Sequence, residues 1–176
     1  AGMYYRPVRS RSVRRIARAA RKGVRSGGWD SVTLLSLSSA DYPAIEELVD
    51  TLTPEFEAAG VSLSFPSLRV DKRTLGLLGR ISGGRRSGLT FAVEAGSERL
   101  RQAIGKKVDE SDLLEMVETA FRAGWTLVKL YFMVGLPTET DEDLDEASRL
   151  IDKVAGIAKR VGGRRNVNVA VSPFVP

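Results

Sequence analysis

The sequence predicts an α/β fold arranged as a partial (β/α) TIM-like barrel. Short β-rich runs alternate with helical patterns along the 176 residues, and every connection between runs can hold a helix. Connections of that length imply parallel strands with right-handed crossovers. In addition, most strands carry bulky apolar residues on one face only. An antiparallel sheet with one wet face is the alternative, against which the connection lengths argue.

The first half of the chain holds three predicted helices and two predicted strands. Residues 12–26 repeat apolar residues at helical spacing and are followed by two glycines, which end helices. Residues 32–38 and 61–65 are short β-rich runs. A segment over 42–59 that begins with a proline is predicted to be helical between them, and a short helix is predicted over 74–81.

The second half repeats the alternation. Three β-rich runs are predicted as strands: 89–94, 127–134 and 167–171. Between the first two lie a serine-capped helix over 97–104 and a helix over 109–123, which opens with the capping-box-like run DESD. A long helix over 140–161 precedes the last strand, because Thr140 is a good N-cap and three acids suit the positive helix end.

The composition excludes several kinds of chemistry. The chain has no cysteine and no histidine, so it cannot form a disulfide, a thiolate nucleophile, an iron–sulfur ligand set or a His/Cys zinc site. A Ser-His-Asp triad is excluded as well. No apolar run approaches the roughly 18 residues of a membrane span, and no secretory signal is visible. We therefore expect a cytoplasmic protein.

The net charge of +5 is concentrated at one end. Residues 1–28 hold nine basic residues and no acids, whereas the other 148 residues carry a net charge of −4. We expect a basic arm with the first helix over 1–28 and a barrel core over 29–176. RNA contact is one interpretation of the arm. If all nine cations contact phosphates, the slope of log affinity against log salt concentration would be about −8. A solvated helix face is the other.

The faces of the predicted strands indicate an incompletely filled barrel. One face is bulky and apolar, while the other is small or polar on strand after strand, as with Thr90, Ala92 and Glu94. A closed eight-stranded barrel fills its interior with layers of Val, Ile and Leu. We therefore expect a partly open barrel whose interior holds a ligand.

Ligands in parallel α/β folds bind at the carboxyl ends of the strands. Glu94 lies at such an end, and a buried carboxylate needs a cation, a ligand amine or a hydroxyl as partner. An ordinary ion pair with Lys129 or Arg99 is the alternative. Gly135 ends another strand, where a glycine is expected to let the backbone approach another group closely.

Four segments, in this order, resemble the radical S-adenosylmethionine (radical SAM) superfamily: LSLSSADYP, FPSLRVD, FAVEAGSERLRQAIGKKV and KLYFMVGLPTETDEDL. They are most similar to bacterial members that follow a cobalamin-binding-type domain, and to relatives of the tRNA methylthiotransferases. The resemblance implies a six-stranded partial barrel that binds S-adenosylmethionine (SAM) on a 4Fe-4S cluster. Reductive cleavage of SAM there yields a 5′-deoxyadenosyl radical.

The lack of cysteine departs from the family pattern, in which a CxxxCxxC loop after the first strand holds the cluster. In similar proteins that loop would lie just upstream of this chain's first residue. We therefore expect the five strands to correspond to strands 2–6 of the family barrel, and this chain alone to be inactive. The expected partners are an N-terminal segment with the cluster ligands or an upstream cobalamin-binding-type domain.

The resemblance also implies SAM-binding residues. Ser38 and Ser39 match the loop whose backbone receives the SAM amino group, and Glu94 matches a strand-end residue that contacts SAM. Lys106 lies where relatives place a basic residue for the SAM carboxylate. Tyr131 stands where many relatives have an acid for the ribose hydroxyls. Further implied contacts are the strand-end Ser67 and the adenine-flanking Met133 and Ser172.

Two other functions remain open at this point. The chain could be a non-catalytic (β/α) barrel interaction module with a basic RNA-contacting arm. Alternatively, it could be an unrelated (β/α) barrel lyase or isomerase that uses Glu94 and Lys129 as an acid–base pair. That reaction requires both side chains in one interior.

Overall fold

A computed structural model describes Pro7 and residues 9–36, 39–64, 72–80 and 88–175. Helices and strands alternate along it. In chain order they are α1 (Val13–Gly27), β1 (Ser31–Thr33), a 3-10 turn (Ser39–Asp41), α2 (Ile45–Ala58), β2 (Ser62–Ser64), α3 (Lys72–Arg80), β3 (Leu89–Glu94), α4 (Glu98–Ala103), α5 (Glu110–Arg122), β4 (Leu127–Val134), α6 (Asp141–Val161) and β5 (Asn166–Pro173). Every predicted helix and strand is present.

The strands form two sheets, and every strand pair is parallel. β1 pairs with β2, while β4 lies between β3 and β5 in a three-stranded sheet. At least one helix separates each strand from the next. The prediction of a partial (β/α) barrel is confirmed, and the antiparallel alternative is wrong. Within the described residues no ladder joins β2 to β3.

The bulky strand faces form the hydrophobic core, as predicted. Phe91 on β3 and Leu130 on β4 are fully buried, and they pack with apolar side chains of α2, α5 and α6. Burying one such side chain contributes about 1.5–3 kcal/mol to the free energy of folding. Helix α1 joins the same core through Ala17, which is buried, while its basic residues lie on the other face.

Strand β5 departs from the predicted pattern. Val169 and Val171 were expected to pack against a helix, but they are 39% and 56% exposed. The reason is that β5 is the edge of its sheet, so among the described residues it has a strand neighbour on one side only.

Strand β1 is shorter than the predicted 32–38. In the part of the chain that the structure describes, one more ladder contact follows Thr33, from the Leu34 amide to the Ser64 carbonyl at 2.9 Å. Beyond it, hydroxyl contacts of Ser36 and Ser39 and a 3-10 turn replace strand pairing. Side chains of this kind compete with the sheet for backbone groups, as the Ser39 hydroxyl does at the Leu34 carbonyl.

None of the described helices is long and apolar enough to cross a lipid bilayer.

Candidate functional site

A largely apolar cavity of about 530 Å³ opens at the carboxyl ends of β3 and β4. Strand ends, the connection between α4 and α5, the loop after β4 and the segment after β5 all contribute to its wall. It is lined by Glu94, Ala103, Ile104, Lys106, Met133, Leu136, Pro137, Thr138 and Phe174. The location agrees with the prediction of a ligand site at the strand ends.

Glu94 has an unusual backbone conformation. Its φ is +70°, in the left-handed region that residues other than glycine seldom adopt, and the ladder between β3 and β4 is interrupted between Ala92 and Glu94. Such irregularities redirect side chains and cluster at functional sites, where the rest of the fold must offset about 1–3 kcal/mol of strain. Thr138, in the wall of the same cavity, has a φ of +69°. Both strained residues therefore line one cavity.

The carboxylate of Glu94 has a cation as its partner. The Lys106 amine donates to Glu94 Oε1 at 3.1 Å, and the side chains are 35% and 24% exposed, respectively. The alternative prediction, an ion pair of Glu94 with Lys129 or Arg99, was wrong. Lys129 pairs with Thr90 in the register, four residues before Glu94, which corresponds to roughly 13 Å along a strand. Arg99 binds Asp143 instead.

This geometry weakens the lyase or isomerase hypothesis. An acid–base pair must reach the same substrate atoms. Lys129 does not belong to the lining of the cavity that holds Glu94, and Glu94 is occupied by Lys106. Glu94 and Lys129 are therefore not placed to act together on one substrate.

A buried arginine holds the two loops that carry this ion pair. Arg101 on α4 is 1% exposed, and its guanidinium donates to the carbonyls of Ala95, Gly96 and Val108. Burial lowers the pKa of Arg101 from its ordinary value, because desolvation disfavours the charged form. The sequence did not indicate this residue, since nothing in the local pattern of a short polar helix marks one arginine as buried.

A buried carboxylate joins the start of α4 to the start of α6. Asp143 accepts hydrogen bonds from the Ser97 hydroxyl, the Arg99 guanidinium and both the amide and the hydroxyl of Thr140. The hydrogen bond from Ser97, followed by that from Arg99, holds the pKa of Asp143 well below its usual range. The sequence indicated only that an acid suits this helix end.

Three of the implied site residues come together in the cavity: Glu94, Lys106 and Met133. Lys106 is twelve residues from Glu94, and the turn after α4 brings it back to the end of β3. In the sequence alone, Lys106 resembles an ordinary surface lysine in a GKK turn.

The other implied residues lie elsewhere. Tyr131 is 40% exposed and lies two residues before Met133 on β4, outside the cavity lining, while Ser172 is exposed opposite Met133. Ser39 is buried beyond the end of β1, with its hydroxyl 3.3 Å from the Leu34 carbonyl. Ser38 and Ser67 lie outside the described residues. Their roles stay predictions.

The backbone conformation at Gly135 calls for a glycine, whereas close approach to another protein atom does not. Its φ is +79°, and a Cβ added there would meet no protein atom within 4 Å. Its amide donates a hydrogen bond to Glu139 Oε1, in the same loop, at 2.8 Å. Close contact between backbones occurs instead at Gly96, where an added Cβ would lie 2.2 Å from the Ala147 amide nitrogen on α6.

Within the described part of the chain, no three carboxylate side chains cluster closely enough to hold a metal ion.

Comparison with known proteins gives three similarities. Residues 2–151 match the family model of the radical SAM superfamily. The uncharacterized protein MJ0966 of Methanocaldococcus jannaschii is 40% identical over 172 residues, which are 98% of this chain and 36% of that protein. The structure of coproporphyrinogen III oxidase (HemN) from Escherichia coli, described as a radical SAM enzyme, superposes with a TM-score of 0.59. That match covers 96% of this chain and 39% of HemN at 14% identity, so it shows a shared fold.

Proposed function

Because the chain belongs to the radical SAM superfamily, we propose that the cavity at the ends of β3 and β4 is its SAM-binding site. The observation that carries this proposal is the Glu94–Lys106 pair, which places one anion and one cation in an otherwise apolar wall. The proposal concerns SAM binding by this chain. The chain spans about a third of the length of its relative MJ0966, so the activity and substrate of a longer protein are not assigned.

The residues present fit SAM by size and by charge. Small-molecule sites usually measure 300–1,000 Å³, and the cavity measures about 530 Å³. SAM carries an amino group, a carboxylate and a flat adenine ring. The Lys106 amine would bind the carboxylate, and Glu94 would accept hydrogen bonds from the amino group or a hydroxyl. Met133, Leu136 and Phe174 would exclude water from the adenosyl part.

The same residues do not fit a 4Fe-4S cluster, because cysteine thiolates are the ligands the family uses and this chain has none. In the family, SAM on a reduced cluster supplies a 5′-deoxyadenosyl radical, and we assign no step of that chemistry to this chain. We propose that cluster ligands are supplied from outside it. A cobalamin-binding-type partner domain and a relation to the tRNA methylthiotransferases stay predictions.

Titration calorimetry with SAM tests the binding proposal. We expect saturable binding to this chain, and Lys106→Met should weaken it at least tenfold, about 1.4 kcal/mol, because the carboxylate loses its cation. Lys107→Met is the matched control, since that neighbouring lysine is exposed and outside the cavity lining. Absence of saturable heat in the folded wild type, or equal weakening by both substitutions, contradicts the proposal.

A second candidate function, RNA contact, is supported by the basic face of α1. Arg14, Arg18, Arg21, Lys22 and Arg25 line one surface concavity of about 500 Å³ together with Ser26. Guanidinium groups suit phosphate oxygens, because their planar fork can donate two parallel hydrogen bonds. Arg21 is already paired with Glu55 at 2.7 Å. This face belongs to the basic unit 1–28 expected from the sequence, whose helix packs on the core. The salt dependence of tRNA binding tests the RNA contact.

A further inference from the structure

We propose that Arg101 is a positioning residue that holds Lys106 opposite Glu94 and thereby sets the affinity of the cavity for SAM. The part that concerns SAM rests on the binding function proposed above, whereas the part that concerns Lys106 stands on geometry alone.

The guanidinium of Arg101 connects two separate loops. Its Nη1 donates to Ala95 O at 3.1 Å and to Gly96 O at 2.6 Å, in the loop that follows β3. Its Nε donates to Val108 O at 2.9 Å, in the connection between α4 and α5. One side chain therefore fixes the distance between these loops.

One member of the ion pair directly precedes the first loop, and the other lies within the second. Ala95 directly follows Glu94, and Val108 comes two residues after Lys106. The backbone strengthens the second link, because the Lys106 amide donates to the Arg101 carbonyl at 2.8 Å and the Val108 amide donates to the Lys106 carbonyl at 3.1 Å. Displacement of the guanidinium would therefore move Lys106 relative to Glu94.

The choice of arginine is specific to this geometry. Arg101 is buried and bonds to three carbonyls, and desolvating a guanidinium costs more than burying an apolar side chain of similar size. A lysine would keep the charge, but its single amine cannot reach acceptors on both sides as the fork of arginine does. If the side chain at position 101 only filled space, a methionine would do so at a lower desolvation cost.

The first test measures Lys106 without any ligand. An amine in an ion pair is acetylated slowly, so wild-type Lys106 should react more slowly with an acetylating reagent than exposed Lys107, as measured by mass spectrometry of peptides. In Arg101→Lys the reactivity of Lys106 relative to Lys107 should rise at least threefold. Arg101→Gln, which keeps one neutral donor group, is the second variant. The same rise in the relative reactivity of Lys106, measured in either variant that folds, tests the proposal.

Arg165→Lys is the matched control. Arg165 also donates two guanidinium hydrogen bonds to a backbone carbonyl, that of Phe121, at 3.2 and 3.0 Å, but it lies outside the cavity lining. Arg165→Lys should leave the reactivity of Lys106 relative to Lys107 unchanged. If Arg165→Lys raises that reactivity as much as Arg101→Lys does, general loosening of the fold explains the effect and the proposal is overturned.

The second test is a double-mutant cycle on SAM affinity. Arg101→Lys alone should weaken SAM binding about fivefold to tenfold, whereas in a Lys106→Met background it should add less than twofold, because Arg101 acts through Lys106. Equal effects in both backgrounds overturn the proposal. If wild-type protein binds no SAM while Arg101→Lys still exposes Lys106, the proposed SAM function fails and the positioning role of Arg101 is upheld.

Discussion

Asp143 shows how much one side chain can do in this protein. Its carboxylate is 3% exposed and accepts hydrogen bonds from Ser97, Arg99 and Thr140. Hydrogen bonds to a charged group contribute more to stability than neutral ones, and each partner left unsatisfied in a buried site costs free energy. Asp143 therefore connects the α4 and α6 ends through charge rather than through apolar contact.

The lowered pKa of Asp143 makes its contribution dependent on pH. In the unfolded chain the carboxyl has its ordinary value of 3.8, and in the folded protein its pKa is lower. The stabilisation is therefore complete above the unfolded value and is lost as the pH falls through it towards the folded value.

For Asp143→Asn we expect a loss of about 2 kcal/mol in the free energy of unfolding at pH 7, from chemical denaturation. The deficit should begin to shrink below about pH 5 and continue to shrink towards the folded pKa, because the unfolded wild-type chain takes up a proton there while the folded carboxylate stays charged, and the amide does not titrate. Asp145→Asn, on the exposed side of the same helix, should change stability by less than 0.5 kcal/mol. A deficit that stays constant over this pH range would contradict the assigned role.

Still at the scale of residues, Glu94 and Lys106 were found in the sequence for different reasons. Glu94 is a carboxylate at the end of a predicted strand, and its need for a partner follows from the cost of burying charge. Lys106 was implied only by resemblance. Their contact could not be predicted, because it depends on how the turn after α4 returns to the sheet and on Arg101.

At the scale of elements, the packing of α6 against the loop after β3 depends on one glycine. A Cβ on Gly96 would lie 2.2, 2.4 and 2.5 Å from the amide nitrogen, Cα and Cβ of Ala147. Two of these three atoms are backbone, which a helix cannot move locally. Position 96 must therefore be glycine for α6 to approach the loop this closely.

We expect Gly96→Ala to lower the free energy of unfolding by about 1–3 kcal/mol, because α6 must move away from the loop. Thermal denaturation followed by circular dichroism would measure the loss. Gly23→Ala is the matched control. Gly23 lies inside α1 with nothing within 4 Å of an added Cβ, so alanine there should stabilise the helix by about 0.5–1 kcal/mol. Equal stability of the two variants would contradict this account.

The elements themselves were largely predictable from periodicity. The predicted bounds of β3 and β4 coincide with the observed strands, and the long helix ends at Val161 as predicted. Long or strictly alternating patterns record which face is buried, so they can be recognised locally. β1 was predicted too long, because hydroxyl contacts such as that of Ser39 with the Leu34 carbonyl leave no mark in a local pattern of β-rich residues.

At the scale of the whole molecule, the uneven charge remains its clearest large feature. At about 100° per residue, the six basic residues of α1 fall within an arc of roughly 120°. The opposite, apolar face of α1 packs on the core, so the helix cannot turn that face towards another partner. The basic face is thus fixed in position on the core, and it is the surface that a phosphate backbone would meet.

Arg21 is paired with Glu55, which leaves four other cations in the lining of the concavity on this face. If RNA binds there, these four would contact phosphates: Arg14, Arg18, Lys22 and Arg25. The slope of log affinity for tRNA against log salt concentration should then be about −3 to −4, rather than the −8 expected if all nine contributed. Arg18→Gln should reduce the slope by about one unit. Arg164→Gln, an exposed cation near β5, should not. Weak binding that is insensitive to salt would exclude the RNA contact.

The sequence by itself determined the α/β class, the parallel connections, the buried strand faces and the end of the sheet at which a ligand would bind. Each follows from local periodicity, connection length and the rule that parallel α/β folds bind ligands at the carboxyl ends of their strands. Only the tertiary structure decided the partner of Glu94, the burial of Arg101 and Asp143, and the exposure of β5. These features depend on contacts between residues distant in sequence, whose energies are fixed by packing and desolvation and leave no periodic trace in the chain.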